Sequence, residues 1–384
     1  MARRPCKKER LPKAWSTYGH RGRLGARLRG HKRGRASGKP RPARLTCPQA
    51  WPILAAMDYL CCPECRGDLE NISIKKDCVS CLGCGCSYPL FEGHVNFVAT
   101  SEMDEFALWQ QAIYEGREES QYLPEYEDLA SVRYSTDFQL DVARQYGLLM
   151  PNWKGMKSRE VMDRLQPRPG ELVLDVGCGV GFLLNAMHTV YGTRGVGIDF
   201  SSVAIKAAIA YNPCGNDYQV ADALRLPFRD GRFDLVISYD VIEHVSDPAE
   251  FVREVCRVTR PGGRILIYTP SRRNRWSWHW WQLQMSRGRY NLGLDNLAGH
   301  DLEKFLTPAE LEGMMREAGL RGVETLTFHT LYTLIFDEVF PGFIFRVLDR
   351  PALSRAVLRL LELADALPND RDYGNGFFAY GWKD

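Results

Sequence analysis

The second half of the chain alternates between short apolar runs and longer amphipathic ones. From Glu171, LVLDV reads as a buried strand, GCGVG as a glycine-rich turn and FLLNAMHTV as an apolar helix. RGVGIDFS is then a strand ending in an acid, and SVAIKAAIAY a second helix. YQVADALRLPF, FDLVISYDVIEHV, DPAEFVREVCRVTRPGG and RILIYTP carry the alternation on. Strands separated by helices predict an α/β fold, a doubly wound and mostly parallel sheet that binds ligands at the carboxyl ends of its strands. Further on, LTPAELEGMMREAGL predicts a helix capped by Thr307 before Pro308, VETLTFHTLYT a strand and GFFAYGWK the last strand. Upstream, a helix is predicted through Lys157–Leu165. Residues 99–150 read as a helical linker with Met103, Phe106, Ala107, Ile113 and Tyr114 at helical spacing, followed by an acidic, tyrosine-rich stretch.

Two insertions interrupt this body, which spans 151–384. Residues 271–300 pack Trp276, Trp278, Trp280 and Trp281 into a short stretch. Residues 334–368 place Leu353, Ala356, Val357, Leu360, Leu361, Ala364 and Leu367 on one helical face. That stripe packs on the sheet or a second subunit, or else joins the tryptophans and PGFIFRVL as an apolar lid at a membrane surface. No run of eighteen apolar residues occurs, so no spanning helix is predicted.

The 384 residues leave room for two ordinary domains, and 45% hydrophobic with 25% charged excludes wholesale disorder. Charge is distributed unevenly. Residues 1–46 carry 16 Lys+Arg against one acid, Glu9, whereas the remainder carries 34 against 46. The basic stretch, RGRLGARLRGHKRGRASGKPRP, has no sustained apolar stripe, and 1–56 read as a disordered extension. It is a nucleic-acid arm, an organelle transit peptide, or a dispensable extension ahead of a start at Met57.

Seven of the twelve cysteines fall between Cys61 and Cys86. Two CxxC pairs, Cys62/Cys65 and Cys81/Cys84, stand fifteen residues apart, the spacing of a four-thiolate zinc ribbon. Disulfides are the competing reading. No apolar segment of a secretory signal precedes the cluster, which favours structural zinc and a reducing, cytoplasmic setting. Cys86 is the alternative to Cys84. Cys178, Cys214 and Cys256 stand alone and read as small buried residues. CPECRGDL followed by CLGCGCSYPLFEGHVNFV resembles the small zinc-ribbon proteins that partner and activate methyltransferases of tRNA and release factors. The resemblance covers 59–98, within a module bounded at 57–98.

The glycine turn is Gly177-x-Gly179-x-Gly181 after Asp175. A dinucleotide fingerprint would be GxGxxG, and Phe182 stands where its last glycine is needed. The ordered set of motifs over 150–384 resembles class I S-adenosylmethionine-dependent methyltransferases, with a Rossmann-like sheet. The resemblance implies that the run from Asp175 through Gly177, Cys178, Gly179 and Gly181 passes the amino-acid end of the cofactor. It implies that Asp199, next to Phe200, accepts from both ribose hydroxyls. Asp222 and Ala223 would meet the adenine edge, and Tyr239 and Asp240 the methyl-bearing sulfur.

Asp240-x-x-Glu243-His244 resembles the ExxEH element of ubiquinone-pathway O-methyltransferases, in which such a cluster can hold a divalent cation such as magnesium. Asp240 replaces the first Glu and shortens its reach. Three roles stay open: His244 as catalytic base with Asp240 and Glu243 beside it, the cluster as a metal site, or a structural anchor of the loop. An Asn/Asp-Pro-Pro-Tyr/Phe box is missing there, which argues against methylation of exocyclic amides. Two acceptor classes follow. One is a small-molecule or lipid-like hydroxyl, with peripheral membrane contact. The alternative is RNA, held by ribbon and tail, although the body beyond the tail is acidic.

Overall fold

The computed structural model describes residues 58–70, 78–91, 94–98, 140, 143–144, 153–212, 215–273, 304–327, 374 and 376–384, all within one unit spanning Cys47–Asp384. The basic extension, the linker helix around Met103–Tyr114, the tryptophan cluster, the stripe from Leu353 to Leu367 and Cys214 lie outside the described residues.

The alternation resolves into helix α1 (Trp153–Leu165), β4 (Leu172–Val176), α2 (Phe182–Tyr191), β5 (Arg194–Asp199), α3 (Ser202–Tyr211), β6 (Asn216–Val220), β7 (Phe233–Tyr239), α4 (Pro248–Val258), β8 (Thr259–Pro270), α5 (Pro308–Glu317), β9 (Leu320–Thr327) and β10 (Gly376–Lys383), preceded by three short strands, β1 (Cys78–Ser80), β2 (Ser87–Phe91) and β3 (His94–Val95). The main sheet has seven strands in the order β6-β5-β4-β7-β8-β10-β9. Neighbours from β6 to β8 are parallel, whereas β10 runs antiparallel between β8 and β9. This is the doubly wound sheet that the sequence predicts. Its order reverses between β4 and β7, where open α/β sheets leave a crevice.

Local chemistry sets the boundaries. Thr307 and Glu310 form a reciprocal capping box at the start of α5. Asp247 accepts from Glu250 N at 2.9 Å and starts α4, with Pro248 in its first turn. β8 differs from expectation: the Pro-Gly-Gly segment lies inside it. Phe233 of β7 pairs with Thr259 before that excursion and Leu235 with Arg264 after it, so both flanks are laddered.

Sequence reading separates the ribbon from the sheet, but the structure joins their cores. Tyr59, Leu60, Tyr88, Val95 and Phe97 are buried in one cluster with Val176, Ile198, Phe228 and Phe233. Each such side chain contributes about 1.5–3 kcal/mol when it leaves water. The Tyr59 ring sits 5.9 Å from that of Phe228 and 6.2 Å from that of Phe233. Backbone bonds stitch the seam: Phe97 N to Val220 O (2.8 Å), Cys61 N to Pro227 O (2.9 Å) and Arg229 N to Tyr59 O (2.8 Å). The three-stranded β1-β2-β3 sheet therefore abuts the β6 edge and covers it. Polar contacts fix the register. Arg66 donates to Glu254 at 2.7 Å, and Arg257 donates to the same carboxylate at 2.8 Å. Burial raises the Glu254 pKa, but hydrogen bonds and charge from Arg257 and Arg66 overcome it and hold the carboxyl below its ordinary value.

Candidate active site

The carboxyl ends of β4, β5, β6 and β7 open into a cavity of about 250 Å³ lined by Gly177, Gly179, Ile198, Asp199, Phe200, Ala221, Asp222, Ala223, Leu224, Asp240, Val241, His244, Val245 and Ser246. Apolar side chains make most of the wall, with Asp199, Asp222, Asp240, His244 and Ser246 as its polar points.

The glycine turn is built for close approach. Gly177 has φ 79°, and a Cβ there would lie 2.1 Å from Val241 Cγ2, so a side chain would displace the segment after β7. Gly179 has φ 52° and lines the cavity, and a Cβ there would meet no protein atom within 4 Å. The first glycine is thus demanded by the fold, and the second leaves its backbone open to a ligand. Asp199 ties the turn to β5: its carboxylate accepts from Gly179 N and from Ser201 N, each at 2.9 Å. A carboxylate offers about four lone-pair directions, so it can still accept from a diol. Asp222 Oδ1 accepts from Leu224 N at 2.9 Å and shapes the next wall segment.

Asp175, Cys178, Gly181 and Tyr239 do not line this cavity. Asp175 is buried beneath the turn, where burial and then the Asp199 charge push its pKa up to about 8. Cys178 is buried too, and burial followed by the charges of Asp175 and Asp199 drives its thiol well up, leaving it inert. A Cβ at Gly181 would fall 2.5 Å from the Tyr218 hydroxyl, so this glycine serves packing. Tyr239 packs against Tyr268 at a tilt and edge-on against Phe378, and its hydroxyl lies 2.7 Å from Ser158 Oγ on α1.

A stability profile follows for Asp175. A carboxyl neutral in the fold at pH 7 and ionised in the unfolded chain favours folding fully below about pH 4. That contribution is lost, at roughly 1.4 kcal/mol per pH unit, as pH rises towards the folded value. Thermal melts of cofactor-free protein should show a stability decline from about pH 4 to pH 8 that Asp175→Asn flattens. Identical profiles for both proteins would contradict a neutral Asp175.

The segment after β7 divides its residues. Asp240 adopts φ 55°, its N donates to Tyr268 O at 3.1 Å, and a 3-10 turn over Ile242–His244 follows. Asp240, Val241 and His244 reach the cavity. Glu243 is buried and accepts from Thr269 Oγ1 of β8 at 3.0 Å. Among the described residues the ligand atoms of Cys62, Cys65, Cys81 and Cys84 alone gather within 4.8 Å of one another. Asp240, Glu243 and His244 therefore form no such three-ligand group, which a magnesium ion held by all three would need.

The cysteines do fit a metal. Cys62 and Cys84 sulfurs lie 3.6 Å apart and those of Cys65 and Cys81 3.4 Å, close to the roughly 3.8 Å edge of a tetrahedron with metal–sulfur bonds of about 2.3 Å. Gly67 N points at Cys65 Sγ (3.4 Å), and Gly83 N and Cys84 N at Cys81 Sγ (3.3 and 3.5 Å). Burial raises the Cys81 thiol, but the Cys84 and Gly83 amides, with hydrogen bonds from the Cys65 and Cys84 thiols, more than offset it and bring it to about 7.

The profile of the family described as "Methyltransferase domain" matches residues 174–267, which hold the turn, Asp199 and the Asp240–His244 segment. The ubiquinone biosynthesis O-methyltransferase of Thiobacillus denitrificans is 37% identical over 167 residues, 42% of this chain and 70% of that protein. The chain belongs to the class I S-adenosylmethionine-dependent methyltransferases. A second relative of this methyltransferase, the chloroplastic tocopherol O-methyltransferase of Arabidopsis thaliana, is 41% identical over 122 residues, 30% of this chain, but only 34% of the tocopherol enzyme's length is covered. Among solved structures, a chain from a complex between the Haloferax volcanii Trm112 methyltransferase activator and a methyltransferase aligns with TM-score 0.41 and 20% identity, over 73% of this chain and 99% of that one.

Sequence reasoning missed the apolar lining of the methyltransferase's cavity: Ile198, Ala221, Leu224, Val241 and Val245. Their signal is position, because each lies at or within a few residues of a strand's carboxyl end. It also missed the asparagines beneath the turn. Asn212 donates to Val180 O, and Asn185 bonds both Asn212 and Asn216. Nothing in local sequence marks that network.

Proposed function

We propose that this methyltransferase transfers a methyl group to a hydroxyl on an apolar, lipid-like acceptor. The observation carrying this is the cavity itself, whose apolar wall meets Asp240 and His244 after β7, across β4 from the β5 and β6 ends that carry Asp199 and Asp222. The two relatives, one in ubiquinone biosynthesis and one acting on tocopherol, support an O-methyl acceptor of that kind.

S-adenosylmethionine supplies an electrophilic methyl on a sulfonium. In this reading Asp199 accepts the ribose hydroxyls, Asp222 and Ala223 face the adenine, and the Gly177–Gly179 backbone borders the amino-acid end. Val241 and Val245 exclude water and seat the apolar body of the acceptor. His244 Nε2 takes the hydroxyl proton as the oxygen attacks, and the charge of Asp240 on the same cavity favours the imidazolium so formed. Alignment along the attack line supplies much of the rate. Cys62, Cys65, Cys81 and Cys84 hold one zinc as a structural centre, a role suited to the reducing cytoplasm. No described helix is long and apolar enough to cross a membrane.

The test is incubation of full-length protein with labelled S-adenosylmethionine and either decylcatechol in micelles or total RNA. Methyl transfer to decylcatechol that His244→Ala reduces by about 100-fold or more is expected. Label appearing in RNA alone would overturn the acceptor assignment.

A further inference from the structure

The resemblance to the ExxEH element leaves Glu243 beside a catalytic base, in a metal site, or as a structural anchor of the loop. Its place in the fold favours the anchor. The turn Asp240–His244 rests on three supports. Val241 packs its Cγ2 into the space that a Cβ at Gly177 would fill, which clamps the turn to the glycine run. Ile242 is fully buried in the core shared by ribbon and sheet. Glu243, with 1% of its surface exposed, receives the hydroxyl of Thr269, itself fully buried in β8. The neighbouring bond, Asp240 N to Tyr268 O, ties the turn's other end to the same strand. Between these anchors, Asp240 and His244 face the cavity.

We propose that Glu243 is a positioning residue that pins the turn to Thr269 and thereby aims Asp240 and His244 into the cavity, and that it ligates no divalent cation. The physical basis is the cost of a buried carboxylate. Such a group is retained only where hydrogen bonds hold it, and a held carboxylate fixes the backbone that carries it. A 3-10 turn has few hydrogen bonds of its own, here His244 N to Val241 O at 2.8 Å, so a side-chain anchor decides where its last residue points. Coordination of one ion by all three residues would require their ligand atoms to gather, and among the described residues only the four cysteine sulfurs do so within 4.8 Å. The inference rests on the reading of His244 as the group that meets the acceptor.

Three variants of the full chain test it: Glu243→Gln, which keeps an amide oxygen for the Thr269 hydroxyl, Thr269→Val, which is nearly isosteric, and their combination. Calorimetric titration with magnesium chloride should show no saturable uptake by the parent that Glu243→Gln removes. S-adenosylmethionine affinity should stay within about twofold in all three. Thr269→Val should lower kcat on decylcatechol by roughly tenfold or more, and the double variant should be no slower than the worse single one. In selectively labelled protein the His244 ring resonances should move in both single variants. Magnesium uptake lost in Glu243→Gln but kept in Thr269→Val would overturn the proposal, as would rate losses that multiply. If decylcatechol proves no acceptor, the acceptor reading fails by itself, and the magnesium and resonance measurements still decide the role of Glu243.

Discussion

Stripping the proposed zinc from the four cysteines is expected to destabilise the whole folded unit and to weaken cofactor binding. In isolated zinc-finger peptides structural zinc supplies about 10–16 kcal/mol at neutral pH, against a total stability of about 5–15 kcal/mol for an ordinary domain. In a detached ribbon that loss would stay local. Here Tyr59, Leu60, Tyr88, Val95 and Phe97 share one apolar cluster with β4, β5 and β7, and ribbon residues bond Val220 and Pro227. Those two positions flank Ala221, Asp222, Ala223 and Leu224, a stretch of the cavity wall that faces the adenosine in the proposed site. Losing the metal therefore removes support on both sides of a four-residue wall. Cys62→Ser combined with Cys65→Ser should lose about one zinc per chain, melt at a lower temperature in the sheet's own transition, and bind S-adenosylmethionine at least about tenfold more weakly. A variant that binds undiminished zinc would refute the ligand set. One that loses zinc yet keeps the parent's melting temperature and cofactor affinity would refute the coupling.

The sheet could be read in advance because it is written in local signals. Buried parallel strands leave apolar runs such as LVLDV, and Thr307 before Pro308 announces a helix start by chemistry confined to adjacent positions. Asp199 and Asp222 were singled out by the resemblance to class I methyltransferases, and both line the cavity at the strands' carboxyl ends. Two kinds of fact were not legible. One is which way a side chain leaves a tight turn. The letters of Asp240, Glu243 and His244 suggest one cluster, but a 3-10 turn sends Glu243 inward to Thr269 and His244 outward. The other is long-range pairing. Cys61 meets Pro227 and Arg66 meets Glu254, partners more than 160 residues apart, and no short-range pattern encodes such a seam. The ribbon's chemistry lies in its sequence, whereas its fusion to the sheet emerges only in the fold.

Asp199→Ala and Gly179→Val should impair cofactor binding by different routes, and comparing them tests the site's geometry. Asp199 holds Gly179 N and Ser201 N at 2.9 Å each, and in the proposed site it also accepts two ribose hydroxyls. Hydrogen bonds to a charged group contribute about 1.5–3 kcal/mol each. Losing the two ribose bonds alone should weaken S-adenosylmethionine binding by roughly 10²–10⁴-fold. Losing the two backbone bonds should also loosen the turn and lower the melting temperature. At Gly179 a Cβ meets no protein atom within 4 Å, so the fold bears chiefly the strain of a side chain at φ 52°, about 1–2 kcal/mol. The valine side chain instead enters the space beside the Gly177–Gly179 backbone that the cofactor needs. Gly179→Val should therefore melt within a few degrees of the parent while binding no measurable cofactor. Gly177→Ala, whose Cβ would strike Val241, should lose stability first. Calorimetric titration with S-adenosylmethionine alongside thermal melts separates the three. Should Asp199→Ala bind the cofactor as tightly as the parent, the ribose assignment falls. Should Gly179→Val bind it, the cofactor does not pass the second glycine.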